Sequence, residues 1–309
     1  MKRKVIQIAG STQLISLPRK WALAHNVKKG AELDVQEDGD KVIVSVDTVP
    51  ISETAEVDIT GLGNMANRVI GAYYRKGVDE LKIHYERSEL AEVVHDSLGH
   101  DTVGFEMLEQ GHNHCVVKYV TGGIEEFDSL LRRIFLLLNS MSEESLNALT
   151  QGHYKHLKNL ALLEEANNRF ATICKRFLNK SGKAHDKFVG PLYHIIEELE
   201  KLADEFKYVC QHYSNLDSNV KINKNVLETF ALAISEVRDF YELFYKFDRD
   251  KLITIKEKRI KVIDAAHDYF KRKLSPADYW LVHHSVILAN SVFELTDAYL
   301  ILTLPQHKR

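Results

Sequence analysis

From Ile124 onwards the apolar residues recur at intervals of three and four, beginning with Phe127, Leu130, Leu131, Ile134, Leu138 and Met141, which is the period of an amphipathic helix. Five breaks interrupt the pattern: Gly152, the Ser181-Gly182 pair, the stretch from Ser214 to Ser218, Asp248 to Asp250, and Ser275-Pro276. They leave six segments, most of about 23 to 28 residues, long for globular helices. Ser275 ahead of Pro276, with Asp278 following, reads as the start of the last helix. Short connections between long helices force antiparallel neighbours, so this region is expected to be a bundle.

The rest of the 309 residues must fold differently, and composition bounds how. With 45% hydrophobic residues and a net charge of −3, the chain is core-forming and not disordered. Cys115, Cys174 and Cys210 are too scattered for a disulfide framework or a thiolate zinc site, which fits a reducing cytoplasm. The most apolar runs, Ile134 to Leu138 and Tyr299 to Leu304, are well short of the ~20 residues of a membrane span, so no membrane insertion is expected.

Charge is unevenly spread. Lys2, Arg3, Lys4, Arg19, Lys20, Lys28 and Lys29 put +7 into the first 30 residues, which contain no acid, and the remainder carries −10. A cationic module on an acidic body suits a chain that meets a polyanion at one end only. Val5 to Ala9 and Leu14 to Leu17 are strand-like around Gly10, Ser11 and Thr12; Arg19 to His25 can form two helical turns after Pro18. Leu33 to Gln36 and Lys41 to Val46 then flank Glu37-Asp38-Gly39-Asp40, a hairpin turn signal. The run from Arg3 to Val46, with Ser16-Leu17-Pro18-Arg19-Lys20-Trp21, Lys28-Lys29-Gly30 and the closing Asp-Gly hairpin, resembles the AbrB/SpoVT DNA-binding domain. The resemblance implies interleaved hairpins in a homodimer, and about 47 residues of short strands need such a partner. The seven cations are the expected contacts to double-stranded DNA: they would neutralise phosphates, and Arg3 or Arg19 could reach base edges.

Pro50 and Ser52-Glu53 mark a linker to a small α/β unit. Its expected strands are Ala55 to Thr60 and Leu81 to Tyr85, with a hairpin of Val103 to Leu108 and Cys115 to Tyr119; its helices are Asn64 to Arg75 and Ser88 to Leu98. Gly61-Leu62-Gly63-Asn64-Met65-Ala66, followed by Glu86, fits a dinucleotide fingerprint. Glu56 and Asp58 on the preceding strand contradict a buried parallel strand, so a tight turn is the stronger expectation. His112 and His114 beside Cys115 could ligate a soft metal, but no further ligand cluster is visible, and loop histidines are favoured.

On the third long helix, Glu200 and Asp204 lie one turn apart beside the stripe Ile195, Leu199, Leu202, Phe206 and Val209. Two carboxylates at that spacing repel unless a metal or a lysine sits between them. The stretch Glu198 to Asp204 looks like the Glu-x-x-x-Asp motif of the PhoU family, and six helices equal two of its three-helix repeats over residues 124 to 303. The resemblance implies a divalent or ferric metal ion at Glu200 and Asp204, with Glu164 or Glu165 as partners. The second repeat departs from the motif, since Phe293 replaces the glutamate in Ser291 to Asp297, and Asn168, Lys256, Lys258 and Lys261 stand where acids would be useful.

The expected architecture is therefore α+β and multidomain: a swapped-hairpin β module at 1–47, a small α/β unit at 48–122, and a six-helix PhoU-like bundle at 123–303. This fusion resembles an archaeal arrangement of phosphate-uptake regulators. It implies a cytoplasmic, dimeric, non-enzymatic DNA-binding regulator whose bundle senses or contacts the phosphate transport machinery. Two other readings are an adaptor of the phosphate ABC transporter ATPase that uses its β module only to dimerise, and a dinucleotide-binding enzyme built on Gly61 to Ala66.

Overall fold

The computed structural model describes residues 1–8, 10, 12–38, 41–46, 52–99, 102–120, 127–181, 188–217 and 219–304. Ser11, the Gly39-Asp40 half of the hairpin turn, Pro50, Gly182 and Ile124 lie outside the described residues. The chain forms two compact units, Met1–Ser52 and Glu53–Arg309.

In the first unit β1 (Ile6–Ile8) pairs antiparallel with β2 (Thr12–Leu14), and Ile6 stands opposite Leu14. Helix α1 (Arg19–Ala24) follows Pro18, whose fixed φ suits a helix start. β3 (Asp34–Asp38) pairs with β4 (Lys41–Ser45) as a second hairpin. The two hairpins are separate two-stranded sheets, and two strands alone are marginal in water.

The second unit begins with a four-stranded sheet in the order β5-β6-β8-β7. β5 (Thr54–Asp58) and β6 (Glu80–His84) are parallel, joined through a turn of 3-10 helix at Gly63–Met65 and α2 (Ala66–Lys76). Helix α3 (Glu89–Ser97) leads to β7 (Phe105–Gln110), which forms an antiparallel hairpin with β8 (His114–Tyr119). Alternation decides the faces. Leu81, Ile83, Cys115 and Val117 point into a core with Ile70 and Tyr74 of α2 and Val94 of α3. Gly77 closes α2 in the left-handed region (φ 100°), where its missing side chain leaves room for Lys180.

Six long helices follow: α4 (Phe127–Gln151), α6 (Leu163–Ser181), α7 (Val189–Tyr213), α8 (Lys224–Tyr245), α9 (Arg249–Phe270) and α10 (Pro276–Thr303). A 3-10 turn at Tyr154–His156 and the single turn α5 (Leu157–Leu160) connect the first two. Asn223, Asp248 and Ser275 cap α8, α9 and α10 by accepting backbone N–H bonds. Helices α4, α7, α8 and α10 pack as an inner four; α6 lies on α4 and α7, and α9 on α8 and α10. Two three-helix repeats thus share one core, containing Ile134, Leu138, Leu199, Phe206, Phe230, Phe240, Leu288 and Leu295.

Helix α10 is by length and composition apolar enough to cross a membrane, which no single run of its sequence announces. Its apolar residues are spread round the helix because it packs against α7, α8 and α9 together. The three cysteines are free and buried, and burial pushes the thiols of Cys174 and Cys210 up to about 12 and that of Cys115 to about 11, so all three are inert neutral thiols.

Candidate functional site

In the first unit, Lys2, Arg3 and Lys4 precede β1, Arg19 and Lys20 open α1, and Lys28 and Lys29 lead into the turn at Gly30. All seven are exposed, and none has an acidic partner among the described residues. Among the described residues of this unit no side chain is buried. Val5, Ile6, Ile8, Leu14, Ile15, Val35 and Val42 are each between 45% and 66% exposed. A folded unit whose strands display β-branched and leucine side chains on both hairpins is an incomplete core.

The carboxylates of the bundle are brought together, but with lysines between them. Lys175 of α6, its side chain 3% exposed, lies 2.5 Å from both Glu197 and Glu200 of α7. Lys207 lies 2.8 Å from Glu164 and 2.5 Å from Asp204, and Asn168 donates to Glu164. Glu165 is exposed. Burial first, and then the neighbouring Asp204, raise the Glu164 carboxyl against the opposing pull of Lys207. For Lys207 burial works the other way, and the hydrogen bonds it donates to Asp204 and Glu164, with their negative charges, outweigh it and raise its pKa. Lysine is one of the two neutralisers that the sequence allowed, and Lys175 and Lys207 supply it to these carboxylates.

The second repeat uses the same device. Ninety-three residues on from Glu197, Glu200 and Asp204 stand Asn290, Phe293 and Asp297 of α10. Arg259 of α9 donates to Asn290 at 2.8 Å and lies 4.7 Å from the centroid of the Phe293 ring. In both repeats a cation of the middle helix covers two positions of the third, three residues apart. Lys258 meanwhile pairs with Asp239 and Ser235 of α8, and Lys256 and Lys261 are exposed.

Other sequence candidates separate. Cys115 is buried in the sheet core while His114 sits on the outer face with Glu109 at 3.2 Å, and His112 is exposed. Among the described residues no group of three His, Cys, Asp or Glu side chains could hold a metal ion. Gly61 and Gly63 have positive φ and form a turn ahead of α2. The strand before them is the sheet edge, its Glu56 paired at the surface with His84 and Lys82. Among the described strands of this sheet only β5 and β6 are parallel, and these strands show no reversal of order of the kind at which dinucleotides bind.

Two groups escaped the sequence reading. Arg176 of α6 donates to the carbonyls of Tyr74 and Val78 at 2.8 Å and to Asp79 at 2.6 Å, and its guanidinium lies 4.8 Å from the Tyr74 ring centroid and 4.3 Å from that of Tyr119. It pins the sheet to the bundle, with Lys180 also on Asp79 at 2.5 Å. Glu236 of α8 is fully buried, neither of its oxygens has a hydrogen-bond partner among the described residues, and burial pushes its carboxyl up to about 9.

Residues 6–53 match the family described as antidote-toxin recognition MazE, bacterial antitoxin. The first unit is a MazE/AbrB-like domain. The structure also superposes on the crystal structure of the phosphate transport system regulatory protein PhoU from Streptococcus pneumoniae, with a TM-score of 0.52 over 60% of this chain and 96% of that one, at 12% identity. The helical region has the PhoU fold. No curated protein matches the chain. In the PhoU-like bundle the small sheet is an added layer, fixed through α2 and Arg176 onto the first repeat.

Proposed function

We propose that this chain is a cytoplasmic DNA-binding regulator of phosphate uptake, with a MazE/AbrB-like unit completed by a second copy and a PhoU-like bundle that contacts the phosphate transport machinery. The observation that carries the reading is the first unit itself: an incomplete apolar core and seven cations in one short segment with no acidic partner among the described residues. A second copy would cover Val35, Val42 and their neighbours, and it would double the cationic surface facing a duplex. Regulation of this kind needs binding and no catalysis. The adaptor reading shares the dimer and omits the DNA.

Arg19→Glu combined with Lys20→Glu is expected to abolish binding of the full-length chain to duplex DNA in a gel shift at low salt, while sedimentation still gives a dimer. Retained binding would remove those cations from the interface. A wild-type dimer with no DNA affinity would favour the adaptor.

The residues present do not fit the metal ion of the Glu-x-x-x-Asp motif, because Lys175 and Lys207 neutralise its carboxylates. Purified wild-type chain and the Glu200→Gln/Asp204→Asn variant are expected to contain equal metal by elemental analysis. Lys175→Ala/Lys207→Ala, which leaves four carboxylates without their cations, should gain divalent-ion binding. Stoichiometric metal in the wild type that is lost from Glu200→Gln/Asp204→Asn would contradict this.

A further inference from the structure

Exposed apolar side chains scattered singly are ordinary, whereas a run of touching ones marks a contact surface. Such a run lies where α9 turns into α10. Phe270, Tyr279 and Trp280 are 49%, 47% and 38% exposed. Their rings form a chain, with centroids 5.8 Å apart from Phe270 to Tyr279 and again from Tyr279 to Trp280, and the hollow that they line also takes in Arg272. The turn that carries them is tightly held. The Arg272 N–H donates to the Tyr269 carbonyl at 2.9 Å, the Asp278 N–H to Ser275 Oγ at 3.1 Å, and the Tyr213 hydroxyl of α7 to the Ala277 carbonyl at 2.5 Å. The rings therefore stand on a rigid base, which keeps the ordering cost of any contact low.

The same turn is cationic. Lys271, Arg272 and Lys273 are consecutive and exposed. Asp268 pairs with Lys271 at 3.0 Å, and with Arg272 also near it its carboxyl is held below the ordinary carboxylate range. Among the described residues no other carboxylate pairs with these three cations, so the turn stays positive. Tryptophan and tyrosine beside lysine and arginine are the side chains that settle where lipid headgroups meet acyl chains, the rings entering the boundary and the cations facing anionic headgroups. We propose that this turn docks the protein on the surface of an anionic membrane without crossing it, with Phe270, Tyr279 and Trp280 as anchors and Arg272 and Lys273 as headgroup contacts. Charge complementarity orients the contact, because the chain beyond residue 30 carries −10 and is repelled by such a surface elsewhere. The composition of the patch favours lipid over a protein groove. Ser275 is already committed to Asp278, so beyond the Tyr279 hydroxyl the patch offers rings and charges without the directional polar groups that select one protein partner. The inference goes beyond the proposed function and stands or falls without it.

Trp280 reports on the contact directly, since the chain's other tryptophan is Trp21. In full-length Trp21→Phe protein, vesicles of equimolar phosphatidylglycerol and phosphatidylcholine should shift Trp280 emission to the blue saturably, and brominated acyl chains should quench it. Pure phosphatidylcholine at the same lipid concentration should do neither. Arg272→Gln/Lys273→Gln, at exposed positions, should weaken partitioning ~30-fold, about fivefold for each cation lost, without altering the thermal melt. Phe270→Ser/Tyr279→Ser should remove the quenching. In Trp280→Phe protein the tryptophan left is Trp21 of the cationic first unit; quenching there and not at Trp280 would place the lipid contact on that unit and overturn the proposal. So would a Trp280 signal that ignores both kinds of vesicle, or partitioning unchanged by Arg272→Gln/Lys273→Gln. A Trp280 response to polyglutamate and not to vesicles would assign the patch to an acidic protein instead.

Discussion

Arg176→Ala is expected to destabilise the second unit by ~3–5 kcal/mol, because it leaves the buried Asp79 carboxylate without its main partner. One planar guanidinium makes three hydrogen bonds to α2 and the residues after it, and the rings of Tyr74 and Tyr119 flank it. Lysine has no such fork, so Arg176→Lys should recover only a part of the loss. At roughly 2–4 °C per kcal/mol for a unit of this size, the midpoint should fall by about 10 °C. The effect should also be local: hydrogen exchange at β6, beside Asp79, should quicken more than at the core of α8. A melt within a degree or two of wild type would show that the sheet layer is held by its other contacts.

Glu236→Leu is expected to do the opposite and stabilise. Both oxygens of Glu236 lack hydrogen-bond partners among the described residues; burial dominates its shift, Lys258 and Arg259 pull the pKa down, and Asp239 pushes it up. Its folded-state pKa of about 9 lies above the ordinary 4.5. Below pH ~4.5 the group is protonated folded and unfolded, and it contributes no pH dependence. Between ~4.5 and ~9 only the unfolded chain releases the proton, so stability falls as pH rises, by about 1.4 kcal/mol per unit at most. By pH 7.5 the cost is on the order of 3–4 kcal/mol, which leucine removes together with the unpaired oxygens. Urea titrations at pH 5 and pH 8 should show a gap between variant and wild type that widens at pH 8. Parallel profiles would mean that Glu236 finds a partner.

The elements themselves were largely legible, because local signals and tertiary packing agree there. The breaks at Gly152, Asp248 and Ser275 end or cap helices, and the alternation of Leu81 with Ile83 and of Cys115 with Val117 sets the sheet's buried face. Edges drifted where caps were weak: α2 begins at Ala66 and not at Asn64 because the preceding residues make a 3-10 turn. Chemistry between distant residues was not legible. Glu200 and Asp204 could be read as a pair, but their neutralisers could not, since Lys175 and Lys207 carry no pattern that separates a buried lysine from a solvated one. Arg176 and Glu236 were hidden for the same reason: each occupies an ordinary helical position, and only packing across the sequence shows what faces it. The long apolar character of α10 was also underread, because a helix packed on three sides dilutes its apolar residues over its whole circumference.

The most direct test of the central claim, that two copies of the MazE/AbrB-like unit complete one another and hold duplex DNA, is fluorescence anisotropy of a labelled duplex titrated with full-length chain over a series of salt concentrations. The account predicts two chains bound per site and affinity falling steeply with salt, with a log–log slope of about −0.9 for each phosphate neutralised. A monomeric chain, or a duplex left free at the lowest salt, would contradict it.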